Sequence, residues 1–427
     1  MKIHVLAVTL ACSALFAAPP APTFYKEVLP VLQHNCQGCH RPGEAAPMSL
    51  LTYESTRPWA KAIKNAVLTK KMPPWFADPH VGKFTNDRSM SKADIDTLVS
   101  WVDAGTPAGD RKDAPAPLTF VEGWQIGKPD KIFELPTPYE VPAAGTVEYT
   151  YFVMPTGFTE DKWVYAAEAR PGNAAVVHHV IAYIREPGSQ WLSDAKPELP
   201  YVPKKGTAAN ADEYLAQYAP GEAPASLKQG QAVLVKAGSD IVFQLHYTPN
   251  GKAQSDQSRV GLIFAKGPVT ERVGVLLALN FGFAIPPGDA NYRVAASTTF
   301  AKDTKLIDLH PHMYFRGKSF SYRLTYPDGQ TEDLLNVPHY NFNWQLLYDL
   351  PEGKIVPAGT KMECVAYFDN SANNKFNPDP TATVRWGDQT WEEMMIGFFR
   401  AAFDPMIKKS DLLAIPAPAP TTSAANR

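Results

Sequence analysis

The chain has 427 residues, 45% of them hydrophobic, 11% aromatic and 20% charged, with a formal net charge of −2. That length exceeds one ordinary core and suggests about three domains, while the near-neutral balance leaves no basic field for nucleic acid or anionic lipid and sets both partners aside. Forty prolines against 27 glycines, with many Val, Tyr, Phe and Thr, favour strands and loops over helix bundles.

The first residues, "MKIHVLAVTLACSALFAAPPAP", carry Lys2, an apolar run from Val5 to Phe16 and small residues before prolines. This reads as a secretory signal over residues 1–18 with cleavage near Ala17 or Ala18, and Cys12 as a lipidated cysteine is the alternative. No later stretch approaches the roughly 20 apolar residues of a membrane helix. The mature protein is therefore expected in the periplasm or secreted, without an integral membrane segment. Cys36, Cys39 and Cys364 remain after signal removal, too few for a disulfide framework.

"CQGCH", Cys36 to His40, is the most specific short motif. Two thiols at this spacing attach to the vinyl groups of a c-type haem, and the adjacent His40 is placed as the proximal iron ligand. A redox dithiol would call for a thioredoxin-like setting and a zinc half-site for a second pair, and neither is present. For the sixth ligand, "TKKMPPWFADPH" offers Met72 in an extended Pro-rich loop, with His80 and Met90 as alternatives. Residues 91–104, "SKADIDTLVSWVDA", predict a helix with Ser91 as N-cap, Asp94 at the capping-box position, Gly105 closing the end, and an apolar stripe of Ile95, Leu98, Val99 and Val102. The order CxxCH, methionine, closing amphipathic helix resembles a small class I-like cytochrome c over about residues 20–110, which implies an all-α domain passing single electrons. Residues 111–117 then read as a linker.

From residue 118 onward, alternating or apolar runs such as "TVEYTYFVM", "AAVVHHVIAYI", "DIVFQLHYT", "RVGLIFA", "TFAKDTKLIDL" and "SFSYRLTY" predict strands, with "TPNGK", "YPDGQ" and "PEGK" as turns. Two all-β jelly-roll-like sandwich domains are expected, over 118–266 and 267–410, followed by a disordered tail over 411–427. Six histidines fall here: His178 and His179, His246, His310 and His312, and His339. Five sit in apolar strand-like runs, where an unpartnered imidazole is costly, and neutral imidazole is the commonest transition-metal ligand. His178 and His179 can share an ion only if their strand bulges or ends, with His246 completing a three-histidine set. His310 and His312, two apart, face the same way, and Pro311 between them suggests an edge strand. In "WGDQTWEEMMIGFF", Met394 or Met395 adds a thioether that accommodates Cu(I), against core packing as the plainer role.

In this order, "VVHHV", "LHY", "HPHM" with "RGK", and "EEMM" resemble the copper type II ascorbate-dependent monooxygenases, the family of peptidylglycine α-hydroxylating and dopamine β-monooxygenases, over about residues 118–408. The resemblance implies two consecutive β-sandwiches holding one copper each. It makes His178, His179 and His246 the ligands of the electron-supplying copper, and His310, His312 and Met394 those of the oxygen-activating copper, with Met395 one residue away; His339 matches no ligand position. It further implies hydroxylation of a C–H bond of an organic substrate by dioxygen with ascorbate as reductant; the haem domain fused upstream suggests instead a relay of single electrons from a periplasmic donor to the three-histidine copper. Asp308 stands where the amidating enzyme has an arginine, which disfavours a glycine-extended peptide and suggests a cationic or hydroxyl-bearing substrate. A non-catalytic copper and haem electron-transfer protein, and a ligand-binding sandwich module docked to a cytochrome, are the competing readings.

Overall fold

Alternation of β-branched and aromatic residues with smaller or polar ones buries one face of each strand, and four-stranded layers of such strands must pair to cover it. The computed structural model describes residues 20–44, 46–203, 213–219, 224, 227–344 and 346–414. The expected signal at residues 1–18 lies outside them, as does 415–427 of the expected tail. The chain falls into two compact units: one from the described parts of Met1–Arg41 with Met48–Lys71 and Met90–Leu118, the other from Pro42–Pro47, Met72–Ser89 and Thr119–Arg427.

The first unit is helical. A π-turn over Phe24–Val28 runs into α1 (Leu29–Asn35), followed by α2 (Tyr53–Thr56), α3 (Ala60–Leu68) and α4 (Lys92–Asp103). Phe24 packs against Tyr53 and Trp101, with ring centroids 5.4 and 5.9 Å away, and Phe24, Leu98 and Trp101 are fully buried. The Ser91 hydroxyl accepts from the Asp94 amide at 3.1 Å, satisfying an orphan donor of the helix start. Gly105 ends α4 with φ +83°, a conformation natural to glycine. Residues 111–117 are not a free linker: the Arg111 guanidinium donates to Tyr25 and Glu54, and Gln33 donates to the Ala116 carbonyl, so this unit continues to Leu118.

The second unit is β-rich. Its first half comprises β1 (Lys131–Glu134), β2 (Tyr139–Val141), β3 (Thr150–Pro155), β4 (Lys162–Arg170), β5 (Val177–Arg185), β6 (Glu213–Tyr218), β7 (Gln231–Val235), β8 (Asp240–Tyr247), β9 (Gln254–Asp256) and β10 (Arg259–Phe264). The second half comprises β11 (Glu271–Leu279), β12 (Ala284–Ile285), β13 (Tyr292–Thr299), β14 (Thr304–His312), β15 (Gly317–Thr325), β16 (Thr331–Val337), β17 (Tyr348–Val356), β18 (Lys361–Phe368), β19 (Val384–Arg385) and β20 (Ile396–Phe403). Sheet β3-β8-β5-β6 packs on β1-β10-β4-β7 through Phe152, Val180, Phe243, Val260 and their neighbours. Sheet β13-β18-β15-β16 packs on β11-β20-β14-β17 through Leu309, Phe320, Phe368 and Phe399. The two halves are not separate sandwiches: β7 and β11 pair in parallel, Glu271 opposite Gln231, so one eight-stranded sheet runs through both.

Three expectations need revision. Residues 411–414 are ordered, since Leu412 is fully buried and Leu413 bridges Phe300. "PEGK" turns, with positive φ at Glu352 and Gly353, yet lies within β17, where the pairing with β14 steps from Leu306–Lys354 to Asp308–Asp349. Met72–Ser89 belongs to the β-rich unit: Trp75 and Phe84 pack on its second core, and the Asp78 and Thr85 amides donate to the Asn336 and Asp349 carbonyls at 2.8 and 2.9 Å.

Candidate metal centre

Adjacent residues of a regular strand point to opposite faces. Between Val177, opposite Tyr247, and His179, opposite His246, β5 has a bulge, which gives His178 the freedom to turn toward its neighbour. Ligand-capable ring nitrogens of His178, His179 and His246 lie within 4.8 Å of one another, and Nδ1 of His178 is 3.3 Å from Nδ1 of His179. The distortion that the adjacent pair demands is present.

A second bulge decides the other set. Leu306 and Leu309 both face the second core, and the register of β14 shifts between Leu306 and Asp308 on both sides. The shift changes the parity of the strand, so that Asp308, His310 and His312 line a cavity of about 80 Å³. Met394 lines it too, while Met395 is fully buried in the second core. His179 reaches the same cavity from the first half. His339 is exposed. Pro311 does not mark an edge: β14 is the seventh of eight strands, and Pro311 lies beyond its ladder with β17, which stops at Leu309, while still standing opposite Gly397 in the ladder with β20.

Burial sets the protonation of these groups. It lowers the pKa of His178 to about 4, that of His246 to about 3 with His178 adding to the effect, and that of His310 to about 3 with His312 and Arg400 adding. His179 lies well below the ordinary value, from burial first and then from His246, His178 and His312. All four are neutral near pH 7, the form with a lone pair to offer. His179 Nε2, His246 Nδ1 and His310 Nε2 are buried with no hydrogen-bond partner among the described residues, a cost that a bound metal ion removes. With a thioether beside imidazoles, the donor set fits copper.

Sequence reasoning missed the aromatic seam joining the sets. The Tyr149 ring lies 5.4 Å from that of His179 and 4.8 Å from that of His246, and Tyr314 lies 5.2 Å from His312. Phe342 stacks on His178 at 5.5 Å and 8° and meets Tyr314 at 5.8 Å. It also missed Glu393. This buried carboxylate accepts from the amides of Tyr314, Arg316 and Met394 at 2.8, 2.7 and 3.3 Å, tying the chain after His312 to the residue before Met394. Burial pushes its pKa up to about 8, against those three amides and the Arg316 guanidinium. The signal in the sequence was the acid in "EEMM", which carried no spacing rule. Asp308 is no open anion: Arg400 Nε and Nη2 each reach its Oδ2 at 2.5 Å, and its side chain is 1% exposed.

In the helical unit, Cys36 caps the end of α1 and its thiol is pushed up to about 12 by burial and then by Cys39. None of Cys36, Cys39 and Cys364 is in a disulfide. His40 is half-buried; burial lowers its pKa, and its Nδ1 has no partner among the described residues. Buried Gln37 donates to the Leu50 carbonyl at 2.9 Å, and the Leu50 amide to the His40 carbonyl at 2.9 Å, fixing the chain after the motif. Thiols outside a disulfide beside an imidazole with one unpartnered nitrogen fit covalent haem. Met90 and Met48 pack on this unit's core with Cys36, Met72 is grouped with the β-rich unit, and His80 is exposed.

Among the described residues no helix is long and apolar enough to cross a membrane. No family model and no curated protein matches the chain. Solved structures similar to it include the infectious bursal disease virus Gx strain, at 9% identity over 67% of this chain and 75% of that one with a TM-score of 0.19. Another is the VP2 subviral particle of the same virus, at 7% identity over 65% and 72% with a TM-score of 0.18. Likeness at these scores carries no argument.

Proposed function

We propose that the chain is an exported haem- and copper-containing monooxygenase that hydroxylates a C–H bond of an organic substrate. One atom of dioxygen enters the C–H bond, the other leaves as water, and two electrons and two protons are consumed. The observation that carries this reading is one cavity lined by His179 of a three-histidine cluster and by His310, His312 and Met394.

His178, His179 and His246 would hold one copper, and His310, His312 and Met394 the other; copper supplies the one-electron chemistry that dioxygen reduction needs. Cys36 and Cys39 would hold a covalent haem with His40 as proximal ligand, and that group would supply single electrons drawn from a periplasmic donor. The chain's own contribution is positional. Bulges in β5 and β14 aim the imidazoles, burial keeps those of His178, His179, His246 and His310 neutral, Glu393 holds Met394 beside the turn that follows His312, and Tyr149, Tyr314 and Phe342 exclude water around them.

Metal analysis of the purified full chain is the test, with two coppers and one iron per chain expected. Stoichiometric zinc, or no copper, overturns the reading. Copper and haem with no oxygen-dependent reoxidation of the reduced haem would leave an electron-transfer protein instead.

A further inference from the structure

The cavity beside His310, His312 and Met394 has walls that define what can enter it. Tyr149, Ile181, Tyr183, Phe342, Ile396 and Phe398 are among the residues that line it. Asp308 and Arg400 are the only carboxylate and guanidinium among the described residues that line it, and each neutralises the other through the 2.5 Å contacts between them. The Tyr314 hydroxyl donates to the Asp388 carbonyl at 2.8 Å and the Gln244 amide to the Tyr151 hydroxyl at 2.5 Å, and the Tyr149 hydroxyl, buried with no hydrogen-bond partner among the described residues, adds a neutral polar group and no charge. A charged molecule entering would lose its hydration and meet no counter-charge. An apolar one would gain for each methylene removed from water.

On the reading that this is the oxygenation site, we infer that its substrate presents a short, uncharged hydrocarbon group. At about 80 Å³ the cavity has roughly half the volume of an apolar cavity known to take benzene, so a short alkyl or alkenyl group fits and a bulkier one, such as a substituted aromatic ring, does not. Asp308, spent on Arg400, selects no cation.

The test uses the copper-free full chain and three isosteric probes, n-butanol, n-butylammonium and n-butyrate, with binding followed by saturation-transfer NMR. Butanol is expected to bind about tenfold or more tightly than either ion. Ile181→Trp, which fills the cavity, abolishes butanol binding, and Phe398→Ala, which enlarges it, admits benzyl alcohol. Either ion binding as well as the alcohol, or alcohol binding that survives Ile181→Trp, overturns the inference. Because no copper is present, these outcomes stand apart from the metal analysis: copper can fail while the cavity still selects neutral probes, and the reverse.

Discussion

Met394 and Met395 are adjacent, both at most 2% exposed, and do different work. Met394 faces the cavity and Met395 the second core. Leucine nearly matches methionine in volume, so either substitution should cost less than about 1.5 kcal/mol. On the proposed two-copper assignment, Met394→Leu removes the thioether and is expected to lower bound copper from two per chain to one, whereas Met395→Leu keeps both. Copper content read beside the thermal midpoint separates the two, and equal copper in both variants would remove Met394 from the site. The Asp308–Arg400 pair makes a second prediction. Asp308→Asn strands a buried guanidinium and should destabilise the protein by about 3 kcal/mol, much of which Asp308→Asn with Arg400→Met recovers. Urea midpoints of the single and double variants test this. A double variant no more stable than the single would mean the pair does not act as a unit.

The strands themselves were legible. "AAVVHHVIAYI", "DIVFQLHYT" and "SFSYRLTY" fall on β5, β8 and β15 because period-two alternation is a property of one segment. Which face each strand presents was not, since a bulge is two residues opposite one and depends on a partner strand far away in sequence. The need for a bulge at His178 could be argued because adjacency of two histidines demanded it; nothing in "TKLIDLH" announced the shift at Ile307. Gly397 shows the same dependence. It sits opposite Pro311 in the β14–β20 ladder, and a Cβ there would come within 2.4 Å of Cys364 Sγ and 3.1 Å of Tyr322 Cε1. Gly397→Ala should therefore cost about 1–3 kcal/mol, and Cys364→Ala should return part of that by vacating the nearer contact. A double-mutant cycle in urea, with a coupling energy of at least about 0.5 kcal/mol, is the expected result; strict additivity would show that the strand shifts freely.

At the scale of the molecule, the long-range joins were invisible in the sequence. The parallel step from β7 to β11 and the packing of Met72–Ser89 on the second core bring together residues whose local patterns hold no trace of one another. Such assembly also concentrates buried imidazoles, and that gives the metal-free protein a characteristic response to pH. His178, His246 and His310 have folded pKa values of about 4, 3 and 3, with His179 also well below the ordinary value. Unfolding returns each to about 6.5, so the unfolded chain binds more protons as the pH falls through this window. Their contribution is fully present above pH 6.5 and is lost as the pH drops toward 3, by about 1.5 kcal/mol per imidazole between pH 6.5 and 5. Glu393 acts in the opposite sense. With a folded pKa of about 8, it binds more protons folded than unfolded, and its contribution fades as the pH rises from the ordinary carboxyl range through 8. Four imidazoles outweigh one carboxyl below pH 6.5, and the carboxyl alone acts above it. Urea unfolding of the metal-free chain, followed by tryptophan fluorescence, should therefore show greatest stability near pH 6.5 to 7. The fall should be steep on the acid side and shallower on the alkaline side. Copper should flatten the acid limb, because ligated imidazoles resist protonation until the ion is displaced. An acid limb unchanged by copper would show that the ion binds elsewhere.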